Sequence, residues 1–265
     1  MLDSNVVQGQ YVELNGLKLY YEVHGSGAPL FLLHGGVNPS DTFGPTLTEL
    51  AKTHQVFAVH LQGHGQTLDS DRPLRREFMA DDVAALIELL GLNQAAVMGY
   101  SMGAAVALQL AIRHPALVQR LVLVSTPMRR ADAYPEGIAG FDTLGANAPQ
   151  IGAALQQSPL AQLYPAVDWT RLFTKLGEML AHDYDWSEAV ATLPMPVMLV
   201  FADADCWRPE GIIDFYRQLG GGQRDGGMDG SGRPAGQLAI VPGTTHYTLM
   251  ATPLVAQLVA PFLLA

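Results

Sequence analysis

Val97-Met98-Gly99-Tyr100-Ser101-Met102-Gly103-Ala104-Ala105 decides the fold. An apolar run over residues 95–98 meets a Gly-x-Ser-x-Gly pentapeptide, and an Ala-, Leu- and Val-rich pattern of helical spacing follows at once. Strand, sharp turn, helix is the context that gives the pentapeptide meaning, because the bare pattern recurs by chance in many chains. A serine at the apex of such a turn takes strained backbone geometry, and side chains two positions away on either side would collide. Gly99 and Gly103 remove those collisions, and the small Ala104 and Ala105 let the helix start lie close to the strand. The turn also puts Ser101 at a helix N-terminus, where free N–H groups and the dipole favour a developing negative charge. The bland alternative is a glycine-bounded turn with a solvated serine, and the surrounding chain has to decide between them.

Toward the N-terminus, residues 11–14 and 17–23 alternate apolar and polar around Asn15-Gly16, a strong hairpin signal. Pro29-Leu30-Phe31-Leu32-Leu33 is a continuous apolar run of the kind buried on both faces of a parallel sheet, and it ends in His34-Gly35-Gly36. A short helix is expected over 46–52 and a buried strand over 55–59, running into the loop Gln62-Gly63-His64-Gly65. Phe78, Val83, Leu86, Ile87 and Leu90 recur at helical spacing over 76–90, and Gly91 stops that helix. Beyond the serine turn, a helix over 102–113 closes at His114-Pro115 and a strand follows over 121–124. Strands and helices alternating at this spacing mean βαβ units, hence a mostly parallel sheet with helices on both faces.

The alternation breaks at Thr126-Pro127. Residues 127–194 hold no buried-strand run. They offer helical patterns over 151–157, 169–181 and 187–192, with the aromatics Tyr134, Phe141, Tyr164, Trp169, Phe173, Tyr184 and Trp186 scattered among them. This stretch reads as a helical cap inserted in an α/β core made of 1–126 and 195–265. Most of its aromatics are expected to fill the cap's own interior. The sheet resumes over 197–201, a helix follows over 210–219, and the last strand and helix fall over 238–241 and 253–264. Residues 220–236 are rich in Gly, Asp and Arg, but no helix follows to receive a phosphate, so they read as a surface loop.

Composition narrows the function class. With 49% apolar and 15% charged residues over 265 positions, the chain is expected to bury a large single core. Fifteen basic against 25 acidic residues give a net charge of −10, which disfavours nucleic acid or an anionic membrane as partner. The lone Cys206 rules out an internal disulfide framework and a cysteine-based metal site. The polar opening ten residues carry no secretion-signal pattern, and no apolar run reaches membrane-spanning length, so a cytoplasmic location is expected.

Reactive groups of an open α/β sheet gather at the carboxyl ends of its strands. Four such ends carry useful groups: His34-Gly35-Gly36, Ser101, the pair Asp203 and Asp205, and His246 in Pro242-Gly243-Thr244-Thr245-His246. A serine hydroxyl needs a base within hydrogen-bond reach, itself oriented by an acid. Ser, Asp, His is the chain order α/β-hydrolases use. With the opening hairpin, Gln62-Gly63-His64-Gly65 and Gly99-Tyr100-Ser101-Met102-Gly103, the chain resembles the α/β-hydrolase superfamily along essentially its whole length. Within it, Gly220-Gly221-Gly222-Gln223-Arg224-Asp225 and Pro242-Gly243-Thr244-Thr245-His246-Tyr247 resemble small esterases related to N-acyl-homoserine-lactone hydrolases.

That resemblance implies an eight-stranded sheet, a serine esterase or lactonase activity, Ser101 as nucleophile and His246 as general base. Asp205 is the expected acid, because residues 202–209 match Gly-x-x-Asp-x-x-x-Pro apart from their first position. Asp203 is the fallback, and Asp132 lies too far past Val124 to be favoured. The expected oxyanion donors are the backbone N–H groups of Met102 and Gly36, with Val37 as second choice. Val37, Met102, Tyr164, Trp169, Trp186 and Tyr247 are the expected pocket for the apolar acyl part of a small ester or lactone. Serine chemistry requires neither metal nor cofactor, and none is expected; oligomeric state is left open. Two departures stand out: His60 where relatives carry an acid, and Ala202 in place of glycine. His34 and His64 are expected to bond loop backbone, Cys206 to be a small filler, and His24, His54, His114 and His182 to lie at the surface or at helix ends. Ser101 argues against dehalogenases and most epoxide hydrolases. Cofactor-free haloperoxidase or perhydrolase activity, carbon–carbon bond or amide hydrolysis, and a low-turnover ligand receptor remain as rivals on the same fold.

Overall fold

Strands β1 (Gln8–Leu14) and β2 (Leu17–His24) pair antiparallel around Asn15-Gly16, both at positive φ (48° and 77°), the geometry a two-residue hairpin turn demands. The computed structural model describes residues 8–37 and 39–265; residues 1–7, most of the stretch read above for a leader, lie outside the described residues. β3 (Ala28–Leu33), β4 (His54–His60), β5 (Ala95–Tyr100), β6 (Val118–Val124), β7 (Val197–Ala204) and β8 (Gln237–Thr245) complete one eight-stranded sheet in the order β1-β2-β4-β3-β5-β6-β7-β8. Every pairing beyond β2–β4 is parallel. The α/β architecture, the antiparallel start and the strand count are those expected.

Alternate residues of the central strands serve opposite faces, which is why these strands read as unbroken apolar runs. Val97, Leu121 and Leu123 pack toward α2 (Arg76–Leu89) and α3 (Met102–Arg113), whereas Met98, Val122 and Val124 pack toward α1 (Gly44–Leu50) and the C-terminal helix Leu254–Leu264. His54, expected at the surface, is instead buried at the first position of β4. Its Nδ1 lies 2.9 Å from Thr53 Oγ1, and its Nε2 has no partner among the described residues. No described helix is long and apolar enough to cross a membrane.

Between β6 and β7 run α4 (Pro135–Leu155), α5 (Pro159–Leu163), α6 (Trp169–Ala181) and α7 (Ser187–Val190). The α6 bounds are those the periodicity predicts, and Asp168 caps its first turn by accepting from Arg171 N at 2.9 Å. α4 is far longer than the expected 151–157. Four glycines and Pro149 lower its intrinsic helix preference, so local sequence hides it. Tertiary packing restores it, because the missing side chains let α4 and α6 approach closely. A Cβ on Gly177 would lie 2.2 Å from Gly145 N, and one on Gly152 would lie 2.3 Å from Thr170 Oγ1. After β7 comes α8 (Pro209–Gln218), then residues 219–236 without regular structure, then β8 and α9 (Leu254–Leu264).

Candidate active site

Ser101 occupies the one-residue turn between β5 and α3 at φ 53°, ψ −118°, a conformation strained for any residue with a Cβ. The flanking glycines are required by space. A Cβ on Gly99 would sit 2.2 Å from Gly103 O, and one on Gly103 would sit 2.1 Å from Leu33 O. Ser101 N donates to Val124 O at 2.8 Å, while its carbonyl accepts from Ala104 and Ala105. Met102, the first helical residue, therefore has an N–H with no intrahelical acceptor. The Gly35 Cα passes close to the Tyr100 ring, where an added Cβ would lie at 3.1 Å.

His246 follows β8. Its Nε2 lies 3.0 Å from Ser101 Oγ and its Nδ1 lies 3.1 Å from Asp205 Oδ1. Tyr100 Oη holds the His246 backbone by donating to its carbonyl at 2.6 Å. The Asp205 carboxylate is fixed from several sides, accepting from Ala202 N at 3.1 Å and Cys206 N at 2.8 Å. Only the backbone of Ala202 enters that bond, so alanine serves where glycine is usual. Burial alone would raise the Asp205 pKa, but the bond to His246, its charge, and the Ser125 hydroxyl together hold it below the ordinary value. Asp203, the alternative acid, instead accepts from Gly243 N at 2.9 Å and Thr244 N at 3.0 Å and so pins the strand end that carries His246. Asp132 pairs with Arg129 at 3.0 Å.

Ser125 was not singled out by sequence reasoning. It sits buried at the end of β6 with φ 55°. Its hydroxyl donates to Asp205 Oδ1 and Oδ2 at 2.8 and 2.7 Å, and lies 2.6 Å from His246 Nδ1. Trp207 Nε1 donates to the Ser125 carbonyl at 3.1 Å. The only sequence hint was position, a hydroxyl at one more strand end. Asp205, Cys206 and His246 place ligand-type atoms within 4.8 Å of one another. Burial, then the Asp205 charge, raises the Cys206 thiol and keeps it protonated; the carboxylate and imidazole are already bonded to each other. The cluster therefore fits a proton network better than a metal site.

Three imidazoles lie under the glycine loop on the other side of Ser101. His34 accepts from Leu61 N at Nε2 (3.0 Å), with Nδ1 2.7 Å from Gly35 O. His64 Nε2 lies 3.0 Å from Gly36 O. His60 lies 3.0 Å from Ser40 Oγ and accepts from Gln66 N at 3.0 Å. Burial pushes all three down in pKa, His60 to about 4, so they are neutral loop supports.

A cavity of about 450 Å³ opens from Ser101 and His246 toward the inserted helices. Gly36, Val37, Met102 and Tyr247 are among the residues that line it. Tyr164, Trp169 and Trp186 do not, which corrects the expected pocket. Tyr164 donates to Asp41 Oδ2 at 3.1 Å beside the His60 ring, and Trp169 is buried in the hydrophobic cluster that the helices share with the sheet. Trp186 stacks behind Tyr184 at 4.2 Å. The residues that do form the wall are Phe141, Leu144, Phe173, Leu176, Met179 and Trp207, together with Arg76, Arg130 and Tyr184. A second cleft, reaching Asp41, Thr42, Pro45 and Met250, meets the first at Ser101.

A mostly parallel sheet with a serine on a strained strand–helix turn and a histidine–aspartate pair at later strand ends defines the class as α/β hydrolase. The chain belongs to that family: the model of the alpha/beta hydrolase fold matches residues 28–209. It is 33% identical over 122 residues to the 2-hydroxymuconate semialdehyde hydrolase of Pseudomonas sp. (strain CF600), covering 44% of this chain and 43% of that protein. The match spans only about a third to a half of the length of the curated relatives. Among solved structures, carboxylesterase CesB from Bacillus subtilis superposes with a TM-score of 0.76 at 20% identity, covering 97% of this chain and 92% of that one. The enol-lactonase from Burkholderia xenovorans LB400 gives 0.73 at 19%, covering 97% and 100%. At these identities the structural matches speak for the fold alone.

Proposed function

We propose that the protein hydrolyses carboxylic esters or lactones through an acyl-enzyme on Ser101. The observation that carries this reading is the unbroken line from Ser101 Oγ to His246 Nε2 (3.0 Å) and from His246 Nδ1 to Asp205 (3.1 Å). In this reaction Ser101 Oγ attacks the carbonyl carbon as His246 takes the hydroxyl proton, and Asp205 stabilises the imidazolium. The oxyanion rests on the N–H groups of Met102 and Gly36, with Val37 the second choice; one such donor is worth roughly 10²–10³ in rate. His246 returns its proton to the departing alcohol. Water, deprotonated by the same imidazole, then frees the acid and restores the serine. The inserted helices act as the cap: the acyl part lies in the apolar cavity beneath them, and the alcohol leaves toward the second cleft. N-acyl-homoserine lactones fall within this class. The test is hydrolysis of p-nitrophenyl esters and homoserine lactones of graded acyl length by the wild type and by Ser101→Ala. The variant is expected to lose about four orders of magnitude in kcat with an unchanged circular dichroism spectrum. Equal turnover by the two proteins rules the mechanism out.

A further inference from the structure

The cavity beneath the inserted helices has a mainly apolar lining, and the two arginines on its wall are in different circumstances. Arg130 is engaged by protein: its Nε donates to Leu180 O at 2.8 Å and its Nη2 pairs with Asp142. Arg76, on the first turn of α2, is only 7% exposed and makes no ion pair among the described residues. Its single hydrogen bond is a long one, from Nη1 to Met179 O at 3.5 Å. The guanidinium instead faces the Tyr184 ring at 4.6 Å and the Trp186 ring at 5.8 Å. Those rings are themselves stacked, so the cation is held in place rather than loosely tethered.

A guanidinium carries five N–H donors and stays charged at any working pH. Burying it without a counter-charge is costly, and proteins ordinarily pair such a group. Here the stack holds it and leaves most donors unused, in a chain whose net charge is −10. Glu136, the one carboxylate on the cavity wall, is exposed and forms no ion pair among the described residues. Tyr184 adds a second unused donor. Its hydroxyl has no hydrogen-bond partner among the described residues, and burial pushes its pKa up to about 12, so it remains a phenol.

We propose that Arg76 and Tyr184 form a carboxylate-recognising subsite, and that the substrate's acyl part is an apolar chain ending in a carboxylate, as in the half-ester of a dicarboxylic acid or the lactone of a hydroxy dicarboxylic acid. A planar fork of N–H groups matches a carboxylate in two parallel bonds, and one cation without an ion-pair partner among the described residues, in a mainly apolar cavity, suits a monoanion. The proposal rests on the hydrolytic reading above, since it assigns the acyl side of that reaction to this cavity.

The test uses p-nitrophenyl half-esters of adipic, pimelic and suberic acid, each paired with the same chain capped as its methyl ester. The wild type is expected to favour the best acid over its neutral partner in kcat/KM by roughly 10–100-fold, the size of a charge-assisted bond pair. In Arg76→Met that ratio collapses toward one through KM, Arg76→Lys restores part of it, and Tyr184→Phe lowers it several-fold. A merely structural staple would depress both members of each pair together and leave the ratio unmoved. That result, or a wild type indifferent to the terminal charge at every length, overturns the proposal. Should Arg76→Met fail to fold, Tyr184→Phe carries the same ratio test. Calorimetric binding of monomethyl adipate and its homologues to Ser101→Ala separates the two readings. Arg76-dependent binding without wild-type turnover would sustain the subsite and sink the hydrolase, whereas turnover without acid preference would do the reverse.

Discussion

The two walls that meet over Ser101 are built on opposite principles. The sheet-side wall is a hydrogen-bonded assembly: Ser101, Ser125, Asp205 and His246 come from four strand ends and lie 2.6–3.1 Å apart, with neutral imidazoles under the facing loop. The wall from the inserted helices is a packed surface. Apolar side chains form its lining, and its shape depends on how closely α4 and α6 approach at Gly145, Gly152 and Gly177. Directional bonds tolerate little displacement, whereas packed helices can slide. The sheet side should therefore set whether bonds are broken at all, and the helical side which molecules are admitted. Perturbing each wall alone should change different quantities.

The largest expected effect is on the sheet side and is read through pH. His60 is buried with a pKa of about 4, below the ordinary value of 6.5, because burial disfavours its charged form more than Glu22 and Asp41 favour it. The unfolded chain therefore takes up this proton first as pH falls. The stability held by neutral His60 is whole above pH 6.5 and is lost on the way down to pH 4. That amounts to about 3 kcal/mol at this one site. His34 and His64, also lowered by burial, act in the same direction. Asp205 is held below its ordinary 3.8, so its own contribution is lost only at more acid pH. Urea midpoints measured from pH 7 to 4 should fall steeply in the wild type and less steeply in His60→Gln. Parallel slopes would show that the loop imidazoles are not what makes this wall acid-sensitive.

On the helical side the corresponding change is Gly177→Ala. Its new methyl would lie 2.2 Å from Gly145 N, and backbone on both sides leaves no side chain to move out of the way. α4 and α6 must part, at a cost of roughly 2 kcal/mol in stability. The helices also carry Phe141, Leu144, Phe173, Leu176 and Met179, so the cavity should change shape with them. The expected readout is a shifted acyl-length preference for ester substrates, with a short acetyl ester still cleaved. Loss of acetyl and long-chain hydrolysis in equal proportion would mean that the two walls are not separable.

The same contrast explains what was legible in the sequence. The sheet, its hairpin, α6 and the Ser101 turn are written in local patterns: apolar runs, Asn15-Gly16, a 3.6-residue period, and glycines where backbones touch; the choice of Asp205 over Asp203 comes from the family resemblance instead. α4 was not legible, because the glycines that permit its close packing are those that weaken its helical signature, and only the partner helix compensates. The pocket residues failed for a related reason. Large aromatics such as Trp169 look suited to a ligand, yet Trp169 is buried in the shared core, and lining falls to residues chosen by helix rotation. Arg76 in a sequence reads as a solvated helix start. Its burial follows from the return of residues 179–186 across α2, which no local pattern announces.

The smallest expected effect probes how much of the sheet-side wall depends on a residue the motif does not contain. If Ser125 donates to Asp205, its oxygen is free to accept from His246 Nδ1, which lies closer to it (2.6 Å) than to the carboxylate (3.1 Å). The imidazole N–H is then shared between hydroxyl and carboxylate, and Ser125 steers the ring as well as the acid. Ser125→Gly removes the hydroxyl while suiting the backbone, whose φ of 55° glycine adopts without strain. Losing one bond to a charged group should lower kcat about tenfold with KM little changed, and weaken the carboxylate's advantage over its protonated form. The acidic limb of the kcat–pH profile should accordingly move upward. A variant with wild-type kcat and an unmoved acidic limb would leave Ser125 as filler between β6 and β7, and the orientation of His246 would rest on Asp205, on the Tyr100 bond to its backbone and on the strand end that Asp203 pins.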